Sequence, residues 1–585
     1  MFTDYIFDIS RYAVIFLSAA ILIRCLRSLI REKTEPEIWA YLRVGEKNVP
    51  VYHWESLIGR SRSADIRIFG EGIGRIHAVL KRNDKGLWKV YDIFSKKGVW
   101  VNDAQVFEDG SPLSHGDVIS FGGSCVRFLN ISTGQRQKNE RRRTGAGQHI
   151  SPAVTLVELT LLQACLILQH CYFSSAAEFK LIALSFAVLI ILEWCIYEAL
   201  RLMDRLGFEI EILAFFLTTL GLSVSASSQP EEIYKQILLI VFSVLLFLLC
   251  GWWMRSLRRS NAMRIPAGIF ALALLALNIL TSDSVNGARS WLVIGGFSFQ
   301  PSELVKALYI YVGAATLDAL YMKKNLYAFI LYSAACVSAL ALIGDFGTAL
   351  IFFVTFLVIS FMRSGSIATV LLAVTGAVLA GFMAITIKPY IARRFATWGH
   401  VWEDVYGAGY QQAHALSAAA SGGLIGKGAG AGWLKNITYS DTDMVFAYIC
   451  EEQGLIVAVC MVFAVILMAF FAIRCAKNGR SAYSSIAACA AAAMMLVQMA
   501  LNVFGSLDML PFTGVTFPFV SRGGSSLISC WMLMAYFKAT DNRRGASFAV
   551  KPVKEIRTWE QERGLNVYEG WQPGMELPSG KDREL

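Results

Sequence analysis

Asp443 is the residue around which chemistry is most readily built. It stands in Thr442-Asp443-Met444-Val445-Phe446-Ala447, where a long polar stretch meets a long apolar one. A carboxyl at such a junction is either a helix N-cap or a general base whose partial burial raises its pKa. Three more polar groups stand at the ends of apolar runs, where ionisable side chains are costly unless something satisfies them. In the first, Arg289 precedes Phe299-Gln300-Pro301-Ser302-Glu303-Leu304-Val305-Lys306. Pro301 and Ser302 suit a helix start, which puts Glu303 and Lys306 three apart on one face. The two either neutralise each other or, with Arg289 gripping a phosphate bidentately, bind a substrate. In the second, Asp345 lies in Gly344-Asp345-Phe346-Gly347-Thr348. It is either an incidental turn acid or a second acid of the site. In the third, Ser521-Arg522-Gly523-Gly524-Ser525 is either a broken entry into a helix or a set of backbone N–H groups ready for an anion.

These residues are positioned by a membrane protein. The chain has 585 residues, 55% hydrophobic and 17% charged, with a mean hydropathy of +0.49; soluble domains carry about 25% charged residues. Apolar runs long enough to span a bilayer, about 20 residues each, centre on residues 6–23, 153–170, 179–199, 209–225, 234–254, 265–281, 303–320, 326–343, 346–362, 367–388, 444–473, 483–505 and 524–537. That makes thirteen predicted spans, and no signal-peptide cleavage site follows the first. The net charge of +10 does not indicate nucleic acid, because the basic residues fall between spans. Alternate loops carry them: Arg201 and Arg205; Arg255, Arg258, Arg259 and Arg264; Lys323 and Lys324; Arg363; Arg474, Lys477 and Arg480; Lys538, Arg543 and Arg544. By the positive-inside rule the expected topology is multi-pass, with the N-terminus outside and a soluble segment and the C-terminus in the cytoplasm. Asp443 then ends a long outer loop, residues 389–443, whose aromatic and glycine content suggests an ordered cap. The twelve cysteines are scattered with no CxxC or Cys/His cluster, so neither a disulfide framework nor a zinc site is indicated.

Residues 31–150 are soluble in character. Short alternating runs such as Ala64 to Ile68, His77 to Leu80 and Leu87 to Tyr91, separated by turn signals at Asn83 to Gly86 and Asp109-Gly110, predict a β-sandwich. Gln135 to Gln148 is too polar to pack and reads as a linker.

In order, G-A-R-x-W (287–291), Q-P-S-E-x-x-K (300–306), D-F-G-T-A (345–349), G-Y-Q (409–411), T-D-x-x-F-A (442–447), E-E-x-G (451–454) and P-F-x-S-x-G-G-S-S (518–526) resemble the SEDS family of FtsW, RodA and SpoVE. The resemblance covers residues 205–540. It implies ten spans in a glycosyltransferase bundle, with residues 1–30 an added anchor, 152–204 two added spans, 131–151 a linker and 541–585 a polar tail. It also implies polymerisation of lipid II into peptidoglycan at the outer membrane face, with a class B penicillin-binding protein as partner. Asp443 would be catalytic; Arg289, Glu303, Lys306, Asp345, Gln411, Ser521 and Arg522 would contact substrate. A divalent cation, Mg2+ or Mn2+, is the one cofactor expected. Division, elongation and sporulation are all open. The chain departs from the family at Ile343-Gly344, usually Gln-Pro, and at Arg522, usually tyrosine. A flippase for the lipid-linked precursor and a non-catalytic scaffold are the competing readings.

Ile58-Gly59-Arg60-Ser61, Arg75-Ile76-His77-Ala78 and Gly98-Val99-Trp100-Val101-Asn102 resemble a forkhead-associated (FHA) domain over residues 40–130. Such domains bind phosphothreonine peptides. The resemblance puts a phosphate contact at Arg60 and a structural role at His77, and Lys96 and Lys97 offer charge for the phosphate in place of a family contact. Gly74 and Lys97 stand where the family usually has serine and asparagine, so a phosphate-independent docking role is the alternative.

Overall fold

The computed structural model describes residues 2–31, 36–61, 64–83, 86–93, 95–107, 109–131, 135, 139, 151–205, 207–282, 290–294, 297–317, 323–364, 367–387, 389–543 and 545–550. A first helix, α1 (Phe2–Arg31), leads into the β-domain. That domain has two sheets. The six-stranded one runs Lys47–Val51, Ala40–Val44, Ser124–Asn130, Val118–Phe121, Val99–Val101 and Ala104–Gln105; the five-stranded one runs Ile66–Arg67, Glu55–Gly59, Ala78–Arg82, Trp88–Asp92 and Ser111–Leu113. Alternate residues of both face one core, including Leu42, Ile58, Leu80, Val90, Ile119, Phe121, Val126 and Phe128. This is the predicted sandwich, built by the period-2 burial of each strand.

Apart from a two-stranded hairpin (Leu292–Ile294 and Phe297–Phe299), the regular elements that follow are helices: α2 (Pro152–Phe173), α3 (Ala176–Leu202), α4 (Glu209–Ser228), α5 (Ile233–Met254), α6 (Leu257–Ala262), α7 (Arg264–Thr281), α8 (Pro301–Leu317), α9 (Lys323–Ile343), α10 (Phe346–Ser364), α11 (Ile367–Ile387), α12 (Pro389–Thr397), α13 (Tyr410–Gly422), α14 (Val445–Gln453), α15 (Leu455–Lys477), α16 (Ala482–Ser506) and α17 (Gly524–Thr540). Nine helices among the described residues are long and apolar enough to cross a membrane. Helices occupy the other four predicted runs as well: α8, α10, α11 and α17. The bundle is centred on α4, which is buried along its length, its two acids Glu209 and Glu211 included. Gly221 on α4 lets the 519–520 backbone approach, since a side-chain carbon there would lie 2.6 Å from the Val520 carbonyl oxygen.

The structure differs from the sequence expectation at one span. The run 444–473 is two helices, α14 and α15, broken at Gly454. Gly454 has φ +87, and Gly426, at φ +84, packs against it. The carbonyls of Glu451 and Glu452, orphaned by the break, accept from Lys427 N (2.9 Å) and Gly428 N (2.7 Å). The long loop is an ordered cap containing α12 and α13. At the other end of the bundle residues 541–543 and 545–550 pack rather than trail: Phe548 is buried edge-on to Phe247, and Lys538 Nζ donates to the Ala546 carbonyl at 3.4 Å. The remaining tail, and all of the linker but residues 131, 135, 139 and 151, lie outside the described residues.

The sandwich is seated on the turn between α15 and α16. Trp54 N donates to the Arg480 carbonyl at 2.7 Å, and His53 Nδ1 lies 2.8 Å from the Gly479 carbonyl oxygen. Arg480 pairs with Glu37 at 3.0 Å and covers the Trp39 ring at 5.3 Å.

Gly454→Ala is expected to lower stability by about 2–4 kcal/mol, because it adds backbone strain at positive φ to a clash with residues 424–426. The thermal unfolding midpoint of the detergent-solubilised protein measures it; an unchanged midpoint would refute the role given to this break.

Candidate active site

Five segments converge near Asp443. The chain reaches it through a turn in which Asp443 N donates to the Tyr439 carbonyl at 2.9 Å. The cap reading fails for its carboxyl: α14 is capped at Met444, without a side-chain hydrogen bond. Asn502 on α16 holds the residue by its backbone, its Nδ2 donating to the carbonyls of Asp443 (3.0 Å) and Val515 (2.8 Å). Gly514, at φ +69, gives the carboxyl room: a side-chain carbon there would stand 3.2 Å from Asp443 Oδ2. Gly347, in the first turn of α10, packs against Thr513 and Val515.

The carboxyl is half-buried, and burial raises its pKa from 3.8 to about 7. A hydrogen bond from Thr442 and the Arg394 guanidinium favour the charged form; the nearby carboxylates of Asp441 and Asp345 oppose it. Asp443 thus sits near the midpoint of its titration at neutral pH, where a base is most useful.

Asp345 caps α10, its Oδ1 accepting from Thr348 N at 3.0 Å, while Oδ2 accepts from Gln300 Nε2 at 3.3 Å. Gly344 explains the departure from Gln-Pro. It ends α9 at φ +92, with its N–H donating to the Leu340 carbonyl, a backbone that proline cannot adopt. Glu303 and Lys306 do lie on one face of α8 and pair at 2.7 Å, almost fully buried. From them runs a polar chain that sequence reasoning missed. Lys306 Nζ donates to Gln498 Oε1 (3.2 Å), Gln498 Nε2 to Thr516 Oγ1 (2.9 Å), and Thr516 and Ser526 share a hydrogen bond of 2.7 Å. Glu303 Oε2 has no partner among the described residues. The only trace in the sequence was the pair Gln498 and Asn502, four apart in an apolar helix.

The other expected contacts are placed as follows. Ser521 Oγ donates to the Thr442 carbonyl (2.5 Å) and accepts from Phe517 N (2.8 Å), tying the 517–521 loop to the Asp443 turn. Arg522 is engaged with protein carboxylates, Asp441 at 3.2 Å and Glu232 at 3.1 Å. Gln411 Nε2 donates to the Thr438 carbonyl at 3.0 Å. Arg289 lies outside the described residues. Among the described residues no three His, Cys, Asp or Glu side chains gather closely enough to hold a metal ion. The cluster therefore offers a divalent cation no site of three such protein ligands.

At the sandwich, Arg60 and Lys97 are exposed. His77 is buried; its Nδ1 accepts from Gly74 N (3.0 Å), and Nε2 lies 3.3 Å from the Gly98 carbonyl oxygen. It thereby joins the two loops on either side of which Arg60 and Lys97 stand.

The family model FTSW_RODA_SPOVE, described as cell cycle protein, matches residues 200–543. The chain belongs to this family. An FHA domain model matches residues 56–122 within the sandwich. Among curated relatives, the probable peptidoglycan glycosyltransferase FtsW of Moranella endobia (strain PCIT) is 30% identical, covering 57% of this chain and 91% of the relative. Stage V sporulation protein E of Bacillus subtilis (strain 168) is 34% identical over 43% of this chain and 70% of the relative. A solved chain, from work on how a peptidoglycan synthase complex coordinates polymerization and crosslinking, is similar at a TM-score of 0.50 and 26% identity. That match covers 58% of this chain and 98% of the solved one. Within the SEDS family, then, this chain carries an FHA domain and added helices ahead of the shared bundle.

Lys306→Ala is expected to destabilise the bundle by about 3–5 kcal/mol, because it leaves Glu303 buried without its cation. The pair of substitutions Glu303→Gln and Lys306→Met is expected to restore much of that loss. Thermal unfolding of the two variants and the wild type checks both; if the single and double variants unfold alike, the pair does not matter in the way described.

Proposed function

We propose that this chain polymerises lipid II into glycan strands at the outer membrane face, with Asp443 as general base. The observation that carries the reading is a half-buried carboxyl with pKa about 7, in a family whose curated relatives include peptidoglycan glycosyltransferases. Asp443 takes the proton of the acceptor sugar's 4-hydroxyl. The oxygen bonds to the anomeric carbon of the donor, and the bond from that carbon to the lipid diphosphate breaks. The electron pair leaves with the diphosphate, and the anomeric carbon is inverted. Asn502, Ser521 and the glycine at 514 keep the carboxyl oriented without occupying it. The Glu303–Lys306–Gln498 chain ties α8 and α16 to Thr516, two residues beyond Gly514. Mg2+ or Mn2+ would serve as a counter-ion of the donor's own diphosphate. The partner is a class B penicillin-binding protein.

The sign of the pH dependence follows from the raised pKa. The base form of Asp443 is lost below about pH 7, so turnover is expected to rise through neutrality and level off above it. Folding responds oppositely: with the folded pKa above the ordinary 3.8, the site favours the folded state most below that value and loses this as pH rises towards 7. Asp443→Asn is therefore expected to abolish polymerisation while unfolding no earlier than wild type, and later at pH 8. Gel-resolved polymerisation of lipid II, with partner and with Mg2+, Mn2+ or chelator, tests this alongside thermal unfolding. Glycan made by the Asn variant would sink the assignment.

We further propose that the sandwich, in the cytoplasm, docks a phosphothreonine protein through Arg60 and Lys97. Both side chains are exposed beside loops that His77 holds together. Arg60→Ala is expected to weaken binding of a phosphothreonine peptide library about tenfold or more. Calorimetry with matched unphosphorylated peptides checks it, and equal binding of both would favour phosphate-independent docking.

A further inference from the structure

The proposed reaction expels a diphosphate, which needs a cation. Two of the cations that the sequence offered are engaged, and the third, Arg289, lies outside the described residues. Lys306 is closed against Glu303 in a buried pair, and Arg522 bridges Asp441 and Glu232. Elsewhere in the cap, Lys427 pairs with Glu451 at 2.8 Å, and Lys435 Nζ donates to the Gly430 carbonyl at 2.9 Å.

Arg394 is different. It lies on α12, the short helix of the cap with the sequence Pro389-Tyr390-Ile391-Ala392-Arg393-Arg394-Phe395-Ala396-Thr397. Ile391 is buried and anchors the helix, while Arg394 is exposed. Its guanidinium makes one hydrogen bond, from Nη1 to the Thr513 carbonyl at 3.3 Å, and no carboxylate among the described residues pairs with it. The next residue, Gly514, is the one whose bare α-carbon faces the Asp443 carboxyl. Arg394 and Asp443 therefore meet adjacent residues of one segment, and the guanidinium is near enough to act electrostatically on the carboxyl. A planar fork with most of its donors turned to solvent, beside the base and left unneutralised, is the form of a phosphate receptor.

We propose that Arg394 binds the diphosphate of the donor lipid, at the Thr513–Gly514 segment that Asp443 also meets. This rests on the glycosyltransferase reading above. As the bond between the anomeric carbon and the diphosphate oxygen breaks, the electron pair arrives on an oxygen that Arg394 stabilises. The proton removed from the acceptor stays on Asp443. Separation of the two roles has a physical reason: a guanidinium in direct contact with Asp443 would hold the carboxyl fully ionised and make it a poor base.

The test uses the full chain in detergent, with undecaprenyl diphosphate and undecaprenyl monophosphate as probes and inorganic pyrophosphate as competitor. Arg394→Gln removes the charge but keeps a donor for the Thr513 carbonyl; Arg394→Lys keeps the charge. Arg394→Gln is expected to weaken diphosphate binding about 10- to 100-fold, with a smaller loss for the monophosphate. Arg394→Lys is expected to recover part of it, and Arg393→Ala to bind as wild type. Lipid II kinetics on the same samples should show a raised KM as well as a lowered kcat for Arg394→Gln. Wild-type diphosphate affinity in Arg394→Gln overturns the proposal. So does an equal loss in Arg393→Ala, which would mark a diffuse surface charge. Absence of glycan synthesis by the wild type sinks the reaction instead, and is read separately from the binding series.

Discussion

Inside an apolar bundle a polar group must find its partner within the protein, because lipid offers none. The arrangement around Asp443 follows from that constraint. Glu451 is an example. Buried at the end of α14, its carboxylate accepts from Trp433 N and Leu434 N and pairs with Lys427. It is satisfied only if the 427–434 loop folds back over the helix break. Glu452 does likewise, accepting from Ser227 of α4 at 2.9 Å. The break at Gly454 is thus stitched to the cap and to the central helix. The turn carrying Asp443 then has little freedom left. Satisfaction of buried polar groups, more than apolar packing, fixes where the carboxyl sits.

The same constraint decides which polar residues are structural and which face outward. Lys306 and Arg522 are cations at sites where a substrate phosphate was expected, yet both already have carboxylates in reach. An isolated buried charge would cost several kcal/mol, so such pairing serves the bundle first. Asp443 is the contrast. It is half-buried, its backbone is held by Asn502, and its carboxyl is left with no cation in contact. Burial is then free to raise its pKa.

Much of this was legible in the sequence. The spans showed as apolar runs, the sandwich as period-2 strands, and Asp443, Glu303, Lys306 and Asp345 as ionisable groups at run ends. What stayed hidden was of three kinds. Gly454 lies inside an apolar run, and hydropathy does not register a positive φ. Gln498, Asn502 and Thr516 are neutral, so they carry no sign of cost until their partners, many residues away, are in place. Nothing in the sequence distinguishes Arg394 from its neighbour Arg393, and only the placement of Thr513 and Gly514 sets it near Asp443. Arg522 was misleading in the opposite sense. Its charge was plain, but its two carboxylate partners come from distant segments.

The position of the sandwich limits how it can influence the site. It rests on the turn at residues 479–480, at the far end of α15 from Gly454. The 23 residues of that helix span about 35 Å, more than four times the roughly 8 Å Debye length at physiological ionic strength. A phosphate captured at the sandwich therefore has no electrostatic reach to Asp443. What connects the two is a chain of packed elements. The turn under Trp54 and Arg480 joins α15, which begins at the Gly454 break, to α16, which carries Gln498 and Asn502. At the same end, Lys538 pairs with Glu211 of α4 and Arg543 with Glu209, so the central helix is anchored there too. Any displacement of the sandwich bears on the turn that joins the helix beginning at Gly454 to the helix whose Asn502 holds Asp443.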